Sequence, residues 1–297
     1  MKLRRVGEDR LLERLLPLLP VQNRDVVAAA GDDCAVVRYA GGCDLLVLKT
    51  DCVVEAVHFE SAADPRDIGW KAMMRPLSDF AAISGLPRFA LITLIVPAAR
   101  SSEWVTTLYR GINRAARKFG VSVVGGETSS SAGPAIVSVS VAGIVEQKRW
   151  VGRRGGKMGD DLFVTGRLGG SIRGRHLRFV PRIVESRWLT EHFRVHAMMD
   201  LSDGLGADLP RLARASKVGF EIQMESLPLS RGSTAAHAVS DGEDYELLFA
   251  ISPRDRERVI SSWKKKFPRV PLTRIGKLVS RSARRGSKLP HGYVHFR

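Results

Sequence analysis

Acidic residues recur in one setting along this chain: Asp32 and Asp33 in "GDDCAVV", Asp51 in "LLVLKTD", Asp79 in "LSDFAAI", Glu127 in "SVVGGET", and Asp200 with Asp203 in "AMMDLSDGLGADL". Most close an apolar run or open a turn. A carboxylate at the edge of an apolar core loses hydration and is costly unless it is paired, hydrogen-bonded or bound to a cation. Several gathered together repel one another and call for positive charge. Each taken alone has a plainer explanation, since Ser202 or Asp203 is placed to N-cap the helix that follows. Taken together, hard oxygen donors without a His/Cys cluster point to Mg²⁺. An Mg²⁺ ion with few protein ligands and several waters ordinarily serves a phosphate-bearing substrate. The chemistry implied is phosphoryl transfer.

The common nucleotide motifs are absent. "GRRGGKM" carries Met where a Walker loop needs Ser or Thr, and neither the protein-kinase signatures nor a G-x-G-x-x-G between strand and helix occurs. Gly125-Gly126 and Gly169-Gly170 are expected to form turns, either ordinary tight ones or ones that offer backbone N–H groups to phosphate. His192 and His196 have helical i, i+4 spacing but lack the Glu of a zinc protease, and His58 in "EAVHFE" is a lone histidine. Cys34, Cys43 and Cys52 contain no C-x-x-C pair, which argues against a disulfide framework or a zinc site and for a reducing, cytoplasmic setting.

The elements that must position these acids read as an α/β (α+β) layout. "DCAVVRYA", "DLLVLKTD", "RFALITLIVP", "VSVVGG" and "AIVSVSVAGIV" have strand character. "RDIGWKAMMRPLSDFAAISG" reads as a helix with an apolar stripe through Trp70, Met74, Leu77 and Ala81, which Pro76 should kink or break, and "SEWVTTLYRGINRAARKFG" as a second helix. After the "GRRGGKMGD" turn the pattern restarts with "DLFVTG", a basic helical region, "AMMD", a helix from about Gly204, "FEIQM", "YELLFAIS" and the helix "RDRERVISSWKKKF". A domain boundary is therefore placed near residue 150, giving domains 1–150 and 151–297. Lys and Arg number 47 against 31 Asp and Glu, a net charge of +16 that by itself would suit a polyanion. No RNP, zinc-finger or helix-turn-helix signature accompanies that charge, so a basic nucleic-acid-binding protein is the rival reading and not the expected one. Glu8, Asp9 and Glu13 interrupt the apolar N-terminal stretch, no run of transmembrane length follows, and no membrane partner is expected.

With these segments in order, the chain resembles the thiamine-monophosphate kinase family, whose fold is shared with aminoimidazole ribonucleotide synthetase and selenophosphate synthetase. The resemblance runs nearly end to end, through "GDDCAVV", "KTDCVVEAVHF", "GWKAMMRPLSDFAAISG", "GGETS", "GKMGDDLFVTGRLGGS", "MMDLSDGLGADL", "SDGEDYELLF" and "GYVHF". It implies a two-domain fold whose N-terminal sheets pair into a barrel across a homodimer. It also implies transfer of the γ-phosphoryl group of ATP onto thiamine monophosphate with several Mg²⁺ ions, or else another ATP-dependent reaction of the same superfamily. Carried over by position, Asp33, Thr50, Asp51, Asp79, Glu127, Asp200 and Asp203 resemble metal ligands. Gly126, Glu127, Arg153 and Ser202 resemble nucleotide contacts, and His58, Glu243 and Tyr293 resemble contacts to thiamine phosphate. No nucleophilic side chain is implied. Four positions depart from the pattern: Glu127 replaces Asp, Lys49 stands where relatives often have Ser, Pro76 replaces Asn, and Asp241 replaces Gly. Lys49 is placed to put its ammonium in a cation position, which leaves the number of Mg²⁺ ions open.

Overall fold

A computed structural model describes residues 3, 8–19, 21, 23–39, 42–281 and 292. After helix α1 (Glu8–Leu15), a six-stranded sheet forms from β1 (Val26–Ala28), β2 (Ala35–Arg38), β3 (Asp44–Val54), β4 (Leu86–Val96), β5 (Ser122–Ser130) and β6 (Ile136–Glu146). Its order is β1-β2-β3-β6-β4-β5, antiparallel except for the β4–β5 edge. Alternation sets its two faces. On β3 the residues Leu45, Val47 and Val53 are buried, while Leu48 on the other face is exposed.

Helices α2 (Pro65–Ala82) and α3 (Ser102–Lys118) pack on each other beside this sheet. Asp64 caps α2 by accepting the Arg66 N–H, Pro65 opens its first turn, and Ser101 caps α3 through the Trp104 N–H. The two helices cross at Gly69 and Gly111. A Cβ on Gly69 would run into the Leu108 carbonyl, and one on Gly111 into that of Arg66, so the contact is backbone to backbone. Pro76 does not break α2, one of the two outcomes expected from sequence, and the helix runs on through it. The helix is buried on nearly every side, and this packing offsets the lost backbone hydrogen bond.

The second half builds a five-stranded antiparallel sheet from β7 (Asp161–Thr165), β8 (Val195–Asp200), β9 (Gly219–Ile222), β10 (Leu247–Ile251) and β11 (Leu272–Val279), ordered β8-β10-β7-β11-β9. Helices α4 (Ile183–His192), α5 (Leu205–Ala215), α6 (Ala235–Ser240) and α7 (Arg256–Lys266) accompany it. The basic region after β7 forms short 3₁₀ turns before α4. Helix α2 also packs against α4 and β8, so one apolar cluster runs from Val47 and Met73 to Met198 and Phe249 and joins the two halves. No helix among the described residues is long and apolar enough to cross a membrane. Cys34, Cys43 and Cys52 are free thiols.

Candidate active site

Asp33, Asp79 and Asp200 come from three separate elements: the turn before β2, the last turn of α2 and the end of β8. One carboxylate oxygen from each lies within 4.8 Å of the other two, and all three residues are buried. Ser78 donates to Asp200 Oδ2 at 2.6 Å, and Lys49 Nζ stands 3.0 Å from Asp79 Oδ2. Arg153 holds Asp33 through Nη2 at 2.5 Å and Nε at 3.1 Å, while its backbone N–H donates to Asp32 Oδ1 at 3.1 Å. Burial, and after it the neighbouring Asp33, pushes the Asp200 carboxyl up to about 7. Burial likewise lifts Asp79 well above the usual carboxylate range. Asp33 Oδ2 is buried without a hydrogen-bond partner among the described residues. A set of hard oxygens with one spare buried lone pair, crowded enough to penalise its own charge, fits Mg²⁺.

The other expected ligands lie outside this trio. Asp51 shares the inner face of β3 with Lys49, whose ammonium is 3.9 Å from its carboxylate. Thr50 faces the opposite side of the sheet, where its Oγ1 pairs with Ser140 Oγ at 3.0 Å. Glu127 is exposed on the edge strand β5, opposite Thr93. Gly126 precedes it in the same strand, packed so closely that a Cβ would strike the Ile92 carbonyl. Gly125-Gly126 is therefore strand, not turn. The Gly169-Gly170 turn does form, with positive φ at both residues, but its N–H groups already donate to Asp244 and Asp241. Asp203 pairs with Arg211 and does not cap α5 with its side chain; the N-cap is Gly204, and Asp208 accepts the Asp203 N–H at 3.0 Å.

A cleft of 490 Å³ lies between the halves, walled by Val57, His58, Phe59, His176 and Glu243 among others. A smaller cavity of 90 Å³ shares His58 and Glu243 and is lined further by Arg75, Ser202, Asp203 and Tyr245. His58 Nδ1 accepts the Val54 N–H at 3.0 Å. Glu243 and Tyr245 both take left-handed backbone conformations, with φ of 53° and 51°. Such conformations are costly for residues other than glycine and tend to persist at functional sites. The segment is held by hydrogen bonds from the Glu243 and Tyr245 N–H groups to Ser202 and Leu201. Tyr245 also stacks on Phe179, with ring centroids 3.8 Å apart. Tyr293 lies outside the described residues. Its neighbour Gly292 is buried, so close to the Asp203 carbonyl that a Cβ would strike it.

Sequence reasoning picks out Asp79 on α2 but misses the rest of its polar stripe, Lys71, Arg75 and Ser78. Lys71, Arg75, Ser78 and Asp79 recur at i, i+4, i+7 and i+8, the spacing of one helix face. Lys71 is fully buried and donates to the His58 carbonyl at 2.6 Å and to Glu243 Oε2 at 2.7 Å. The signal is present in the spacing, but it is masked by the apolar stripe on the other side of a helix that is buried all round.

Comparison with known proteins agrees with this architecture. The AIR synthase related protein family matches through its N-terminal domain over residues 31–145 and through its C-terminal domain over 156–285. The thiamine-monophosphate kinase of Rhodopirellula baltica is 38% identical over 300 residues, spanning 92% of this chain and 93% of its own. That of Aquifex aeolicus is 34% identical over the full length of both. The solved structure of AaThiL complexed with AMPPCP and TMP superposes with a TM-score of 0.84 at 32% identity, covering 99% of each chain. Converging acids, a cleft between two sheet-based halves and end-to-end similarity agree: the chain belongs to the AIR synthase related proteins and, among them, to the thiamine-monophosphate kinase family.

Proposed function

We propose that this chain phosphorylates thiamine monophosphate to thiamine diphosphate at the expense of ATP. The observation that carries this reading is the convergence of Asp33, Asp79 and Asp200 beside the cleft of His58 and Glu243. In this reading Asp33, Asp79 and Asp200 hold Mg²⁺, with Asp51, Glu127 and Asp203 as further ligands and Thr50 contributing through its backbone, because its side chain faces the other side of the sheet. Bound Mg²⁺ supplies charge screening between two phosphate groups that otherwise repel each other. Gly126, Glu127, Arg153 and Ser202 face the nucleotide, and His58, Glu243 and Tyr293 the thiamine phosphate. The acceptor phosphate is already ionised at neutral pH, so positioning replaces a general base.

The same reading makes the protein a cytoplasmic homodimer with domains divided near residue 150. The exposed Leu48, Phe89, Leu91 and Val124 on the six-stranded sheet support pairing of that face with a second copy. The test is a coupled ADP-release assay with thiamine monophosphate, with thiamine, and with excess EDTA. The reading expects ADP only with thiamine monophosphate and Mg²⁺ present; ADP release indifferent to the acceptor sinks it.

A further inference from the structure

Four basic side chains of the site, Lys49, Lys71, Arg153 and Arg211, each have a carboxylate within hydrogen-bond or ion-pair distance. Arg75 differs. It lies between Lys71 and Asp79 on the polar stripe of α2, and no carboxylate among the described residues forms an ion pair with its guanidinium. Its Nη1 donates to the Cys52 carbonyl at 2.9 Å, and its Nε is buried without a hydrogen-bond acceptor among the described residues. Burial disfavours its charge, but Tyr245, Asp51, Glu243 and Asp79, none of them within ion-pair distance, outweigh that and keep the guanidinium charged. A buried N–H donor without an acceptor is expensive, so a site that keeps one has a use for it.

Arg75 also lines the 90 Å³ cavity with His58, Ser202, Asp203, Glu243 and Tyr245. The acids on that wall are already engaged: Glu243 with Lys71, Asp203 with Arg211, and Asp241 with the Gly170 N–H. Among the described residues, Arg75 is the charged side chain of that wall with a buried hydrogen-bond donor left unsatisfied. It sits between the acid trio on one side and the His58–Glu243 cleft on the other. A phosphate monoester seated there would meet a planar guanidinium suited to its oxygens.

We propose that Arg75 binds the phosphate of the acceptor and so makes the site select a phosphorylated acceptor over its free alcohol. This rests on the phosphoryl-transfer reading above, with the cleft holding the organic part of the acceptor. Arg75 is then a specificity-determining residue of the acceptor site and has no contact with the nucleotide.

The test is calorimetric binding of thiamine monophosphate and of thiamine to the wild-type chain and to Arg75→Met, with KM for each substrate measured alongside. Arg75→Met is expected to weaken thiamine monophosphate binding by roughly 10- to 100-fold, as for loss of hydrogen bonds to a charged group, with thiamine binding and KM for ATP unchanged. Arg75→Lys should recover part of the loss, because it restores the charge without the fork. Equal weakening of thiamine and thiamine monophosphate would show that Arg75 only shapes the cavity. Unchanged binding of both would show that its charge is satisfied by solvent. Either result overturns the proposal, and Arg75→Gln serves the same comparison should the Met variant not fold. If the wild-type chain itself fails to transfer phosphate to thiamine monophosphate, the kinase reading falls first. If the wild type is active and Arg75→Met is indistinguishable from it, only the role of Arg75 falls.

Discussion

Lys49 Nζ lies 3.0 Å from Asp79 Oδ2, so that a lysine of the sheet neutralises an acid of the central helix inside the carboxylate cluster. Burial alone would lower its pKa, but Asp79 and then Asp51 more than reverse that and hold it above its ordinary value. The ammonium is thus a permanent positive charge where hard oxygens converge. Lys49→Ala is expected to free Asp79 and Asp51 for a divalent ion. Counting Mn²⁺ by electron paramagnetic resonance in the presence of a non-hydrolysable ATP analogue should then give one more bound ion in the variant than in the wild type. An unchanged count would mean that the lysine does not stand in for a metal.

A second prediction concerns Lys71, whose fully buried ammonium ties the His58 carbonyl to Glu243. Burial pulls its pKa down from 10.5 to about 8, with Glu243 opposing the fall. The unfolded chain therefore holds more protons than the folded one between about pH 8 and 10.5, and by linkage the contribution of Lys71 to stability rises with pH across that window. The full span is worth on the order of 3 kcal/mol, at about 1.4 kcal/mol for each tenfold change in proton affinity. Denaturant unfolding of wild type and Lys71→Met at intervals from pH 7.5 to 10.5 should give a stability difference that climbs toward the wild type as pH rises. Parallel curves would count against a lysine whose proton affinity is lowered by folding. The ion pair that positions Glu243 is lost as the folded chain titrates around pH 8, so KM for thiamine monophosphate should rise between about pH 7 and 9 in the wild type and stay flat in the variant.

Much of this architecture is legible before folding. The acids announce themselves because most close an apolar segment or open a turn, and strands such as Ile136–Glu146 follow from simple alternation. What stays hidden depends on contacts distant in sequence. Lys71 and Glu243 are 172 residues apart, and nothing local marks either as the partner of the other. Local rules expect Pro76 to kink or break α2 because they carry no knowledge that the helix is enclosed by α3, α4, β6 and β8. Gly125-Gly126 suggests a turn by composition, yet the parallel neighbour β4 requires a strand whose glycine lets the Ile92 carbonyl approach. Asp203 suggests a helix cap, but Arg211, two turns along α5, claims its carboxylate.

The last prediction separates metal binding from architecture at Asp200. This carboxylate is 2% exposed, and burial together with Asp33 drives its pKa up to about 7, so at pH 8 the folded chain bears the cost of an ionised group in a dry, negative setting. Its hydrogen bond from Ser78 needs only an acceptor oxygen, which the amide of asparagine keeps. Asp200→Asn removes the charge with little change of shape. In metal-free buffer at pH 8 it should therefore raise stability, by up to about 4 kcal/mol on the same conversion from proton affinity to free energy. The same substitution should lower kcat by orders of magnitude, because the charge lost is the one that would hold Mg²⁺ against the transferring phosphoryl group. A purely architectural aspartate predicts the reverse, with melting temperature falling and activity per folded molecule surviving. Thermal melting in EDTA and single-turnover rates in saturating Mg²⁺, measured on one preparation, decide between them: a variant that melts earlier yet turns over normally removes Asp200 from the metal site.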